Sequence, residues 1–153
     1  TLDAVRSELA TFFEIFPGGT IWANNIEGSG YDVVLLGQQA PSRIDIDVIQ
    51  LRLADASYQK VGVSLVESGF QSPLDLFSTY AGSGRDLEEW LRGADINTDR
   101  NLRLQYLAGI GLNRYTEADI FDEVVRHRQF PEQLFVATEA WKVSLRQAMA
   151  LTR

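Results

Sequence analysis

A change of hydrophobic period at Pro17-Gly18-Gly19 constrains this chain more than any other feature. Upstream, Leu2, Val5, Leu9, Phe12, Phe13 and Phe16 recur at helical spacing, Asp3 sits in the first turn, and the proline and glycines form a stop signal. Downstream, Thr20 to Ala23 and Tyr31 to Leu36 have strand character. Between them Asn24-Asn25-Ile26-Glu27-Gly28-Ser29-Gly30 is rich in residues that tolerate turn geometry. The expectation is an amphipathic helix followed by an antiparallel hairpin. A lone hairpin is marginal in water, so a later strand, a second copy of the chain or a segment outside it must complete the sheet. Val33-Val34-Leu35-Leu36 lacks polar alternation, which predicts cover on both faces of that strand.

After Pro41 the pattern becomes helical, with helices expected over 43–54, 56–68, 73–81, 86–92, 117–128 and 138–150. Four starts carry capping signals: Ser42 with Asp45, Ser72 with Pro73 and Asp75, Asp86 with Glu89, and Thr116 with Asp119. Gly69, Gly82 and Gly93 fall where a left-handed residue would end a helix. Leu102, Leu104 and Tyr106 alternate with Arg103 and Gln105, so Leu102 to Leu107 is the candidate third strand. Trp141, Leu145, Ala148 and Met149 share a stripe expected to dock into the core, and Trp22 and Trp90 are assigned core or sheet-covering roles. The class is therefore α+β, a short antiparallel hairpin plus one further strand packed with about seven helices. A soft boundary near Gly109 to Arg114 separates residues 1–108 from a helical extension, 109–153, packed on the same core.

Two segments carry a resemblance. Ile96-Asn97-Thr98-Asp99-Arg100-Asn101-Leu102-Arg103-Leu104-Gln105-Tyr106 resembles a stretch near the C-terminus of spermidine-synthase-like proteins, where Asn-Thr-Asp leads into a short apolar strand. Arg100-Asn101 stands here where the family often has a second acidic residue and a proline. Leu9 to Pro17, Thr20-Ile21-Trp22 and Asp32 to Gly37 are similar to the helix-strand-strand unit that closes the family's nucleotide-binding sheet. The resemblance implies the closing portion of a Rossmann-like, methyltransferase-type fold with a helical C-terminal extension. The family's glycine-rich turn, ribose-binding acid and amine-site carboxylates would lie upstream, so 1–108 would lack the catalytic half. With Thr1 first and Met149 the only methionine, the expectation is an excised piece of a longer protein. The intact parent would transfer an aminopropyl group from decarboxylated S-adenosylmethionine to a diamine, whereas this segment would be inactive and hold no cofactor itself.

The residues present agree with an absence of independent catalysis. Gly18-Gly19, Gly28-Ser29-Gly30 and Gly82-Ser83-Gly84 do not join a strand to a helix as a phosphate-binding loop does, so they are assigned to turns. Asp45 and Asp47 are two apart and would not share a helical face. His127, the sole histidine, lies in Arg126-His127-Arg128 at a helix end, where positive charge suits the helix dipole. It has no cysteine or HExxH partner for a metal, and no Gly-x-Ser-x-Gly elbow for a triad. Asp95 and Asp99 flank Asn97-Thr98 on a loop; a structural turn is the preferred assignment, with Asp99 and Tyr106 the candidate ligand-facing pair should the loop border an amine pocket.

Fourteen basic residues against 21 acidic ones give a formal charge of -7, which disfavours nucleic acid and anionic membranes. No apolar stretch approaches the roughly 20 residues that span a bilayer, so no membrane contact is expected of this segment. The default location is cytoplasmic, although a parent of this kind can be fused to membrane spans. The absence of cysteine excludes disulfides and thiolate chemistry. The partners implied are the missing N-terminal part of the parent or a second copy through the sheet edge, with a polyamine bound in the intact parent. The alternative is a non-catalytic protein-interaction or regulatory module.

Overall fold

The computed structural model describes residues 1–26, 29–111 and 117–151. They form an α+β chain divided into two compact units, Thr1–Pro41 with Tyr80–Gln129, and Ser42–Thr79 with Phe130–Arg153.

In the first unit α1 (Leu2–Ile15) starts at Thr1, whose hydroxyl accepts from the Ala4 amide at 3.4 Å. The helix stops where expected. Gly19 donates to the Phe16 carbonyl at 2.9 Å, and Gly18 to Gln38 at 2.9 Å. A Cβ on Gly18 would lie 2.5 Å from the Ala40 carbonyl carbon, so only glycine permits this approach. The chain then enters β1 (Thr20–Ile26), paired antiparallel with β2 (Ser29–Leu36) as the hairpin pattern predicts.

The strand that completes this sheet is not Leu102 to Leu107. It is β4 (Tyr80–Ser83), antiparallel to the other side of β1, in the order β2-β1-β4. Ser78 and Thr79 explain the difference at the expected 73–81 helix, because their hydroxyls donate back to the carbonyls of Asp75 (2.8 Å) and Leu76 (2.6 Å) and end α4 (Pro73–Ser78). Gly82 consequently lies in a strand, next to a register shift opposite Ile21 and Trp22, with φ of 153°. Gly69 and Gly93 do adopt the left-handed conformation expected after helices. Residues 103–107 belong to α6 (Arg103–Gly111), because buried Leu107 and half-buried Leu104 recur at helical spacing and α6 packs on α1.

The expected cover on both faces of β2 is also corrected. β2 is an edge strand, and Val33, Val34 and Leu36 are 40%, 55% and 45% exposed. Leu35, paired with Ile21, turns inward. The core joins Leu9 of α1, Ile21 and Ala23 of β1, Ala81 of β4, Leu87, and Phe121, Val124 and Val125 of α7 (Glu117–Arg126). Trp90, on the short α5 (Glu88–Leu91), packs against this cluster in the covering role expected of it.

Asp86 was expected to cap a helix over 86–92, but α5 begins later and Asp86 is recruited to the sheet. Its carboxylate accepts from the Tyr80 hydroxyl at 2.9 Å and the Ser83 amide at 3.0 Å. Tyr80 is 2% exposed, lies edge-on to Trp22 at 5.6 Å, and its carbonyl accepts from buried Arg128 at 3.1 Å. Burial, reinforced by the Asp86 charge, pushes the Tyr80 phenol well above its ordinary value.

In the second unit β3 (Ile44–Asp45) runs parallel to β5 (Phe135–Val136). Helix α2 (Ile46–Ala54) is capped by Asp45 rather than Ser42, since Asp45 accepts from the Val48 amide at 3.1 Å. A 3₁₀ turn (Ala56–Tyr58) is held by Asp55, whose carboxyl is lowered from its usual value by hydrogen bonds from the Ser57 side chain and amide. It leads into α3 (Gln59–Glu67). Ser72 caps α4 as expected, accepting from Asp75 N at 3.3 Å. Helix α8 (Glu139–Leu151) presents its apolar stripe to α4: Leu145 and Met149 are buried, and Trp141 meets Phe77 and Phe135 at 6.1 and 5.6 Å. The Thr116 cap and part of the 109–114 boundary lie outside the described residues. No helix among the described residues is long and apolar enough to cross a membrane.

Asp86→Ala leaves the buried Tyr80 hydroxyl without its acceptor, so it is expected to cost about 2–3 kcal/mol. Urea unfolding followed by tryptophan emission checks this, with Leu145→Ala, expected to cost about 2–5 kcal/mol, as the control for the second unit. The neutral Tyr80 phenol is the form the fold favours. Its contribution is complete below the ordinary tyrosine value of 10.0 and is lost as pH rises toward the raised folded value. Ultraviolet absorbance during an alkaline titration should show Tyr80 ionising only as the fold is lost, and Tyr80→Phe should remove that late step.

Candidate functional site

The Ile96–Tyr106 stretch is built around helix capping. Asn97 Oδ1 accepts from the Leu104 amide at 2.9 Å, and Asn101 Oδ1 accepts from the amides of Thr98 (2.9 Å) and Arg103 (3.1 Å). Asn101 Nδ2 donates to the Ile96 carbonyl at 2.8 Å, and Leu102 completes the turn at φ 45°. These bonds satisfy the free amides at the start of α6. The structural role expected of Asn97, Thr98 and Asp99 is thus carried by Asn97, Thr98 and Asn101, and it opens a helix instead of a strand.

A polar flank of α1 fixes this turn. Arg6 donates to the carbonyls of Trp90 (2.9 Å) and Arg92 (3.2 Å), and its guanidinium lies 5.9 Å from the Trp90 ring centre. Ser7 donates to the Asp95 carbonyl at 2.7 Å, and Thr11 accepts from the Asn97 amide at 2.8 Å. Asp95 pairs with Arg103 at 2.8 Å, which removes it as a free carboxylate. Asp99 is exposed at the turn, and Tyr106 is 66% exposed on α6. Neither lines the cleft described below.

The same α1 anchorage shapes an open cleft of about 370 Å³ in the first unit. Helix α1 contributes Ala10, Phe13 and Glu14, the turn after β4 contributes Gly84, and α5 with the following segment contributes Glu88, Leu91, Arg92, Ala94 and Ile96. Gly84 lies against Phe13, where an added Cβ would fall 3.0 Å from the ring. Phe13, Leu91, Ile96, Ala10 and Ala94 form an apolar floor. Arg92 is paired with Glu89. Glu14 and Glu88 are exposed, and neither has a hydrogen-bond or ion-pair partner among the described residues.

This cleft was not among the features singled out from sequence. Phe13 and Leu91 carry ordinary core signals, and Glu14 and Glu88 are ordinary helix-surface acids; only the fold brings them together.

The other candidates have local roles. Asp45 and Asp47 stand at the start of α2, where the first is its cap. His127 follows α7, with Nε2 3.6 Å from Glu123 and its ring 5.7 Å from that of Trp90. No group of acidic or histidine side chains among the described residues is placed to hold a metal. No protein-family model, curated protein or solved structure matches this chain.

Asn101→Ala is expected to lower stability by about 1 kcal/mol through loss of the α6 start. Asp99→Ala should stay within about 0.5 kcal/mol, as for an exposed position. Chemical denaturation of the two variants side by side measures the contrast.

Proposed function

We propose that this chain is the closing, non-catalytic segment of a spermidine-synthase-like protein, supplying the final helix and hairpin of its sheet. The observation that carries the reading is the α1–β1–β2 unit. A helix leads through Pro17-Gly18-Gly19 into an antiparallel hairpin, in the order that the resemblance implies. β4 fills the far side of β1, which leaves β2 as the open edge on the hairpin side. One face of β2 already rests on α7 through Leu35, and exposed Val34 and Leu36 on the other face gain cover if further strands and helices continue the sheet there.

In this reading aminopropyl transfer belongs to the intact parent. Decarboxylated S-adenosylmethionine and the diamine bind to the upstream half, and the present segment supports the sheet on which that site is built. The loop bearing Asp99, and Tyr106 on α6, are the points nearest in kind to an amine contact. Both are surface residues, so any contact they make with an amine is formed in the intact parent.

Three measurements test the proposal. The native reading frame upstream of Thr1 should encode a strand followed by a glycine-rich turn; a start codon immediately before Thr1 would overturn it and leave a stand-alone interaction module. For the isolated chain, neither decarboxylated S-adenosylmethionine nor its thioether product should raise the melting temperature. In the longer polypeptide, the outward amides of β2 should exchange hydrogen more slowly than in the isolated chain. Equal exchange in the two would remove β2 as the junction.

A further inference from the structure

We propose that the cleft between α1 and α5 binds a small amphipathic organic cation, a primary ammonium attached to an apolar body. The inference goes beyond the reading above and does not depend on it, since all the cleft residues lie in the first unit.

The apolar part of the site is the floor formed by Phe13, Leu91 and Ile96, with Ala10 and Ala94 beside them. The cleft, of about 370 Å³, is open to solvent, so a small ligand would lie against this floor rather than be enclosed by it. Hydrophobic contact alone would not choose a charge, but the polar groups do. Glu14 and Glu88 stand on the walls without partners among the described residues, whereas the positive charge of Arg92 is already paired with Glu89. The C-terminal end of α1 adds no free acceptor, because Gln39 Nε2 donates to the Ile15 carbonyl at 2.8 Å and Gly19 to that of Phe16 at 2.9 Å. The apolar floor and the two unpaired carboxylates together favour a cation that brings its own apolar surface.

The test uses hexylammonium as the probe, with hexanoate and hexanol as matched anionic and neutral controls, followed by backbone amide NMR. Hexylammonium should produce saturable shifts at Phe13, Gly84, Leu91 and Ile96, and hexanoate should produce none there. The double variant Glu14→Gln/Glu88→Gln should weaken hexylammonium binding roughly tenfold, the combined effect of two exposed charge pairs. Both residues are exposed, and an unchanged amide spectrum elsewhere verifies that the variant is folded. Binding of hexanol or hexanoate as tight as that of hexylammonium, shifts scattered over the surface, or no saturable shift would overturn the proposal. Tighter binding of N-acetyl-lysine methylamide than of hexylammonium would overturn the small-molecule assignment and make the cleft a receptor for a protein lysine.

Discussion

The first unit depends on one strip of α1. Arg6, Ser7 and Thr11 lie along a helical flank and bond the backbone of residues 90–97, with Ser7 reaching a carbonyl 88 positions away. A segment without regular structure has peptide groups that must find partners if it is to pack closely. Here α1 provides them. Buried Ser7 is effective because its hydroxyl has an acceptor; without one, the same burial would be a penalty. The strip therefore sets where α5 ends, where α6 begins, and how far the α5 side of the cleft stands from Phe13.

The parts of the fold that were legible in the sequence are those in which one local signal has no rival. The α1 periodicity ends at Pro17-Gly18-Gly19, and the close approach of Gly18 to Ala40 leaves no alternative there. Ser72-Pro73-Asp75 likewise combines a cap, a first-turn proline and an acid in one place. The errors come from competing signals. Leu102, Leu104 and Tyr106 satisfy a strand pattern, but Leu104 and Leu107 satisfy a helical one, and the capping by Asn97 and Asn101 decides between them. Tyr80-Ala81-Gly82-Ser83 looked like the tail of a helix and a turn because nothing local reports its long-range pairing with β1. The cleft was least legible of all, since its floor and carboxylates are assembled from α1 and α5.

Tyr80 shows how a short strand can be secured without many ladder bonds. Its backbone pairs with β1 and accepts from Arg128, while its hydroxyl is engaged by Asp86. Asp86 also fixes the Ser83 amide at the other end of β4. The carboxylate thus joins both ends of a four-residue strand, so its recruitment away from helix capping has a structural return. This is the kind of competition that cap statistics do not anticipate: the acid stabilises whichever donors the fold places nearest.

The two edges of the sheet consequently differ in kind. β4 is short, ends at a side-chain-bonded turn, and has buried residues at Tyr80, Ala81 and Gly82. β2 is longer and keeps apolar side chains exposed in both directions, with Val34 and Leu36 on the face shared with Trp22 and Thr20, and Val33 on the face shared with Ala23. Edge strands that end a sheet are commonly blunted by charge, proline or a bulge. Between Val33 and Leu36 β2 has none of these, and the charge of Asp32 precedes the apolar run. An edge apolar on both sides is suited to the interior of a larger sheet, whereas a terminal edge needs only one apolar face. The two edges thus offer different surfaces: that of β4 is closed, whereas β2 rests on α7 through Leu35 and leaves Val34 and Leu36 uncovered on its other face.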